Sequence, residues 1–260
     1  MSLTTSDLNP VIDLRDVSVR YRLPRERIPT FKEFAIKWLR GRVVYEDLLA
    51  LSHVNLCVRQ GESYGVIGRN GAGKTTLMKV IARVLRPTEG TVAIRGQVAP
   101  LLELGAGFDH ELSGRENLFL NGALLGRTRR DIQRRFDAIV EFAELAHFID
   151  SPLRSYSTGM VARLGFAIAT DVEPDILLVD EALSVGDLGF QQKCIARIEE
   201  LLSRGATLVL VSHSLDAVLR LCQRVLWLEQ GRVVADGAAS EVVEAFVSTP
   251  SPTTLRSVAG

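Results

Sequence analysis

The chain has 260 residues, 47% of them apolar, and its 31 basic side chains balance 31 acidic ones. That is enough apolar material for one large α/β domain with a real core, and a net charge of zero supplies no global field towards nucleic acid or anionic lipid. Three widely spaced cysteines in apolar surroundings, Cys57, Cys194 and Cys222, read as reduced core thiols, with no disulfide framework and no zinc site.

The first ten residues, MSLTTSDLNP, carry neither a basic start nor an apolar stretch, which predicts no secretory signal and a cytoplasmic protein. No apolar run approaches the roughly 18 residues of a membrane span. Val11 to Tyr21 and Leu51 to Val58 alternate apolar and polar residues, and predict two half-buried strands of an antiparallel edge layer. Between them, Phe31, Phe34, Ala35, Trp38 and Leu39 recur at helical spacing among Arg and Lys, so residues 25–44 read as an inserted basic amphipathic helix. From Ser63 the pattern is strand (SYGVIG), glycine-rich turn (RNGAGK) and helix (TTLMKVIARVL), and Thr91 to Ile94 suggests a further short strand. Residues from about 112 to 170 read as mostly helical. Buried strands return as ILLVD and TLVLVS with the helix FQQKCIARIEELL between them, a parallel crossover arrangement. The tail from Thr249 reads as a flexible end.

Gly68 to Thr75 reads GRNGAGKT, the phosphate-loop spacing, placed after a buried strand and before a helix as the chemistry requires. Gly71 and Gly73 let backbone N–H groups approach phosphate oxygens, the following helix points its positive end at them, Lys74 reaches the terminal phosphates and Thr75 offers a hydroxyl to Mg²⁺. Gly68, Arg69, Asn70, Gly71, Ala72, Gly73, Lys74, Thr75 and Thr76 are therefore the candidate contacts to ATP. The apolar strand ILLVD ends on Asp180 and is followed by Glu181. A bound metal explains this pair: Asp180 would hold Mg²⁺, and Glu181 would orient and deprotonate the water that attacks the γ-phosphate. These residues define a P-loop NTPase and nothing narrower.

Three further segments narrow the class. Tyr156-Ser157-Thr158-Gly159-Met160 resembles the ABC signature in the form found in polysaccharide exporters, Ser184-Val185-Gly186-Asp187 resembles the D-loop, and Ser212-His213 resembles the switch histidine. The stretches GRNGAGKTTLMKVIARVLRPTEG, LLELGAGFDHELSGRENLFLNGALLG and DEALSVGDLGFQQKC, with the signature, are similar to ATPase subunits that export O-antigen, teichoic acid and related lipid-linked polysaccharides, the Wzt-type family. The resemblance implies a RecA-like parallel α/β core, an N-terminal antiparallel β layer and a helical subdomain at about residues 97 to 172, within a cassette of residues 1–248.

It also implies a homodimer with two ATP molecules held between the P-loop of one copy and Ser157, Thr158, Gly159, Met160 and Asp187 of the other. His213 would contact the γ-phosphate, and Tyr21 would stack on adenine. Glu103 stands in the loop where such cassettes usually place a glutamine, and is its candidate substitute as a Mg²⁺ ligand. The implied partners are two membrane-spanning permease subunits and a lipid-linked polysaccharide, with no nucleic acid, at the cytoplasmic face of the inner membrane. Some members carry a C-terminal carbohydrate-binding β-sandwich, for which this sequence leaves no room, so export without cap recognition in this subunit is the expectation. Another ABC ATPase, for teichoic acid, capsule or import, or a non-transport one, is the alternative reading.

Overall fold

The computed structural model describes residues 10–24, 45–101, 104–105, 107–180 and 186–249. The inserted helix at 25–44, Glu103, Glu181, Ser184, Val185 and the tail from residue 250 lie outside the described residues.

Strand β1 (Pro10–Pro24) pairs antiparallel with β2 (Tyr45–Arg59) on one side and with β4 (Glu89–Ile94) on the other, giving the expected antiparallel layer. Both long strands extend beyond their expected limits. The alternation in β1 changes phase: Ile12 and Leu14 face the core, and so do Val17 and Val19. A bulge makes this possible. Asp16 and His53, opposite it, sit at φ 55° and 53°, with Asp16 N–H donating to Asn55 Oδ1 at 2.9 Å and His53 N–H to Ser18 Oγ at 3.0 Å.

The second sheet has the order β5-β6-β7-β3-β8-β9, from β3 (Ser63–Ile67), β5 (Val98–Leu101), β6 (Ile176–Asp180), β7 (Thr207–Val211), β8 (Arg224–Glu229) and β9 (Arg232–Ala238). It is parallel except for the β8–β9 hairpin. Every residue of β3 and β7 is buried, as continuous apolar runs covered on both faces should be. Strand β5, which precedes the stretch expected to be mostly helical from about 112, pairs its four residues with β6 as an edge of this sheet.

Helix α1 (Lys74–Ile81) follows the phosphate loop and stops short of the expected LRP boundary. Arg83, at φ 61°, turns the chain, and the N–H groups of Val84 and Leu85 both donate to Lys79 O at 3.0 Å. Helices α2 (Gly114–Leu124), α3 (Arg129–Ala143) and α4 (Thr158–Asp171) form the helical region. Each starts on a side-chain cap: Ser113, in a capping box with Glu116, then Thr128, then Ser157. A 3-10 turn at Leu153–Ser155 precedes α4, and helices α5 (Leu188–Ser203), α6 (Leu215–Leu221) and α7 (Ala239–Ser248) complete the described elements.

Helix α4 ties the regions together. Its Leu164, Ala167 and Ile168 pack into the helical cluster with Phe136 and Ile139, while Phe166 packs into the core of the parallel sheet with Leu177 and Phe190. Cys194 and Cys222 are buried core thiols as expected, and burial pushes both up to about 12. Cys57 corrects the expectation: it occupies an outward position of β2, between inward Leu56 and Val58, and is exposed.

Candidate functional site

The parallel sheet sets the site by register. Val66 of β3 pairs with Val211 of β7, and Val211 pairs with Asp180 of β6, so three adjacent strands end at one level. The phosphate loop leaves the first, Ser212-His213 leaves the second, and the third ends on Asp180 itself. Carboxyl ends of parallel strands are where α/β sheets bind ligands, because the loops leaving them can converge.

The loop backbone needs its glycines. At Gly68 (φ 153°) a Cβ would lie 2.2 Å from Leu228 O, and at Gly73 (φ 105°) 2.6 Å from Ala50 O. Backbone bonds hold the loop from the side: the Gly231 N–H of the β8–β9 turn donates to Ala72 O at 2.9 Å, and Ser52 N–H donates to Gly231 O at 2.8 Å. Lys74 is 7% exposed, with its ammonium donating to Gly68 O at 2.8 Å and Arg69 O at 3.2 Å. Arg69 points away from the loop's mouth, towards Glu229 (3.6 Å) and Thr249 O (3.3 Å). Its side chain thus braces the loop against β8 and the end of α7.

An open cleft of about 410 Å³, within the ~300–1,000 Å³ typical of small-molecule sites, is lined by Asn70 to Thr76, His213, Tyr21, Leu48, Leu49 and Ala50. It brings together the sequence-predicted Tyr21, the phosphate loop and His213. Leu48, Leu49 and Ala50 were not among the predicted site residues. The signal for them is the pairing of β1 with β2, which sets Leu48 directly across from Tyr21. Leu48 and Leu49 are 54% and 42% exposed, an apolar shelf open to a flat ligand beside the tyrosine.

Oxygen donors suit Mg²⁺: the Thr75 hydroxyl stands in the first turn of α1, and the Asp180 carboxylate is half-buried at the end of β6. Among the described residues no group of three His, Cys, Asp or Glu could hold a metal ion, so such an ion would draw its remaining ligands from elsewhere. Glu103 and Glu181, the other carboxylates predicted for the site, lie outside the described residues.

The signature residues form a second, separate surface. Ser157 caps α4, its Oγ accepting the Met160 N–H at 3.2 Å, so Thr158, Gly159 and Met160 make an exposed or half-exposed first turn with free dipole character. None of Ser157 to Met160, nor Asp187, lines the cleft. Asp187 caps α5 through the Phe190 N–H at 2.9 Å, and that bond, with Arg163, holds its carboxylate below the usual range. The structure therefore sets Tyr21, residues 70–76 and His213 on the cleft, and the signature residues with Asp187 on a separate α4–α5 edge, while Gly68, Arg69 and Asp180 line neither.

A cassette of this topology, with a phosphate loop at its strand ends and a capped signature helix set apart from it, defines an ATP-binding cassette. The ABC transporter family model matches residues 51–184, just over half the chain, and this protein belongs to that family. O-antigen export system ATP-binding protein RfbB of Klebsiella pneumoniae is 44% identical over 245 residues, covering 92% of this chain and 98% of the relative. A Myxococcus xanthus protein of the same name is 45% identical over 90% of this chain, which spans only 55% of that longer protein. Teichoic acids export ATP-binding protein TagH of Shouchella clausii is 41% identical over 92% of this chain and 66% of its own length. Among solved structures, the dimeric post-hydrolysis ATP-binding cassette MJ0796 bound to ADP and Pi superposes with a TM-score of 0.71 over 88% of this chain and 98% of that one, at 22% identity. An ATP-binding subunit of an ABC transporter reaches a TM-score of 0.73 over 95% and 98%, at 23% identity. These two likenesses establish the fold.

Proposed function

We propose that this chain is the ATP-hydrolysing subunit of an ABC exporter that moves a lipid-linked polysaccharide, O-antigen-like in kind, across the cytoplasmic membrane. Two copies would work against two membrane-spanning subunits, from the cytoplasmic face. The observation that carries the ATPase part is the common level at which β3, β6 and β7 end, with the phosphate loop, Asp180 and His213 at their tips. The similarity to O-antigen and teichoic acid export ATPases supports the cargo class. No described helix is long and apolar enough to cross a membrane, which fits a subunit that drives other proteins' spans.

In this reading the adenine stacks on Tyr21 beside Leu48 and Leu49, and N–H groups of residues 70–75 surround the β- and γ-phosphates. Lys74 adds its charge at the terminal phosphates. Thr75 and Asp180 would hold Mg²⁺, with Glu103 as a further candidate ligand, and the ion supplies neutralisation of charge on the transferred phosphoryl group. Glu181 takes a proton from water as its oxygen attacks the γ-phosphorus in line, while the bond to the ADP oxygen breaks. His213 holds the γ-phosphate in the attacking geometry. Ser157, Thr158, Gly159 and Met160, with Asp187, serve the nucleotide bound to the other copy, because on their own chain they stand outside the cleft.

The test is ATP turnover of the chain reconstituted with its membrane subunits in lipid, with and without polyprenyl-pyrophosphate-linked glycan, and Glu181→Gln as control. Stimulation by the glycan that disappears in the variant is the expected result. Robust turnover indifferent to every such glycan would leave the ATPase and remove the cargo.

A further inference from the structure

Behind the signature turn, four charged side chains form a chain across three helices. Arg163 of α4 donates from Nη1 to Glu144 Oε2 and from Nη2 to Asp187 Oδ2, both at 2.8 Å. Lys193 of α5 donates to Glu144 Oε1 at 2.9 Å and to Phe142 O at 3.1 Å, at the end of α3. Beneath this chain lie three rings, one from each helix: Phe142 stacks on Phe166 with centroids 6.0 Å apart, and Phe190 meets both edge-on at 5.8 and 6.4 Å. The Arg163 guanidinium lies 4.7 Å over the Phe190 ring, and its side chain is 17% exposed. Packed on a ring below and forked between two carboxylates above, it has little freedom to move. A lysine could not reproduce this, because a single ammonium cannot span both carboxylates in one plane.

The placement has a consequence for the two surface elements it joins. Arg163 stands six residues after Ser157, so at 1.5 Å per residue it is about 9 Å down the helix from the signature turn. Asp187, its other partner and the last residue of the D-loop-like segment, caps the next helix. We infer that Arg163 is a positioning residue that fixes the signature turn of α4 to the Asp187 end of α5, so that both reach a partner's nucleotide as one rigid edge. This rests on the reading of Ser157 to Met160 and Asp187 as contacts in trans. Glu144 and Lys193 extend the same brace to the end of α3.

The test mixes variants. Arg163→Met should lower ATP turnover by about ten- to a hundredfold, as small misplacements of catalytic groups do. Nucleotide affinity of the isolated chain should change by less than about twofold, since Arg163 does not line the cleft. Arg163→Lys should fall between it and the parent. Mixed with Lys74→Ala, itself inactive, Arg163→Met should recover, because in the mixed dimer its intact phosphate loop faces an intact edge on the other copy. Turnover above the mean of the two variants measured apart is the expected result. Turnover at that mean, or an Arg163→Met enzyme as fast as the parent, overturns the inference. If Arg163→Met does not fold, Glu144→Gln, which removes one carboxylate and leaves α4 intact, takes its place in the same mixture with the same two outcomes. Absence of turnover and of ATP-dependent pairing in the parent chain would instead remove the dimeric reading on which the inference stands.

Discussion

The cleft and the α4–α5 edge are built by opposite means. The cleft is made of backbone: a loop whose glycines are pressed against carbonyls of Leu228 and Ala50, clamped through Gly231, with a buried lysine held by loop carbonyls. The edge is made of side chains: Ser157 and Asp187 cap their helices, and Arg163, Glu144 and Lys193 hold the helices in place through ion pairs at the surface. A backbone cradle suits a ligand that is always the same polyphosphate.

If the aromatic base carries the edge, Phe190→Ala should cost about 3–5 kcal/mol of unfolding free energy, measured by denaturant titration. A cost below about 1 kcal/mol would show that the charges alone hold α5. On the cleft side, Lys74→Ala should reduce ATP turnover by about 10²–10³-fold, the usual effect of removing a preorganised charge from a phosphoryl-transfer site. Retained turnover would mean that the backbone does the binding and stabilisation alone. Gly73→Ala, which forces a left-handed alanine against Ala50 O, should destabilise the fold by about 1–3 kcal/mol, and a neutral result would show the loop is softer than its contacts indicate.

Acid separates the two regions. Lys193 and Arg163 hold the Glu144 carboxylate below its usual range, and the Phe190 N–H and Arg163 do the same for Asp187. Groups with a lowered folded-state pKa contribute stability that is complete above the unfolded carboxylate value of about 4 and is lost as pH falls through the lower folded value. Backbone contacts at the loop do not titrate. Amide exchange, corrected for its intrinsic pH dependence, should therefore rise at residues 157–163 and 187–190 before it rises at 63–67 in acid. The smallest effect concerns the thiols: a maleimide at neutral pH should label only Cys57 in the folded chain and all three cysteines after unfolding, because Cys194 and Cys222 are buried and pushed up to about 12.

The cleft was largely legible in the sequence, the edge much less so. The phosphate loop and the strand-end acid are local patterns tied to local geometry, and a buried parallel strand announces itself as an unbroken apolar run such as TLVLV. Tyr21 and His213 in the cleft, and Ser157 and Asp187 on the edge, are legible only through resemblance. No local pattern reveals the brace, since Arg163 lies 19 residues from Glu144 and 24 from Asp187, and Lys193 lies 49 from Glu144. Short elements give little signal either: β5 has four residues, and β9 is an alternating edge strand whose pairing with β8 depends on the turn between them. The capping box Ser113–Glu116 was present in the sequence as S-x-x-E and would have placed the start of α2. Behind it, Asn117 is fully buried and bonds three carbonyls of the loop at 109–113, a role that no pattern in the sequence reveals.

The central claim is that cleft and edge, separated on one chain, complete each other between two. Sedimentation of Glu181→Gln with Mg²⁺ and saturating ATP tests this most directly, since the variant should bind nucleotide without consuming it. A shift from one copy to two on adding ATP, abolished by also changing Ser157→Arg, is the predicted result. A chain that binds ATP yet remains a single copy at every concentration tested would contradict the account.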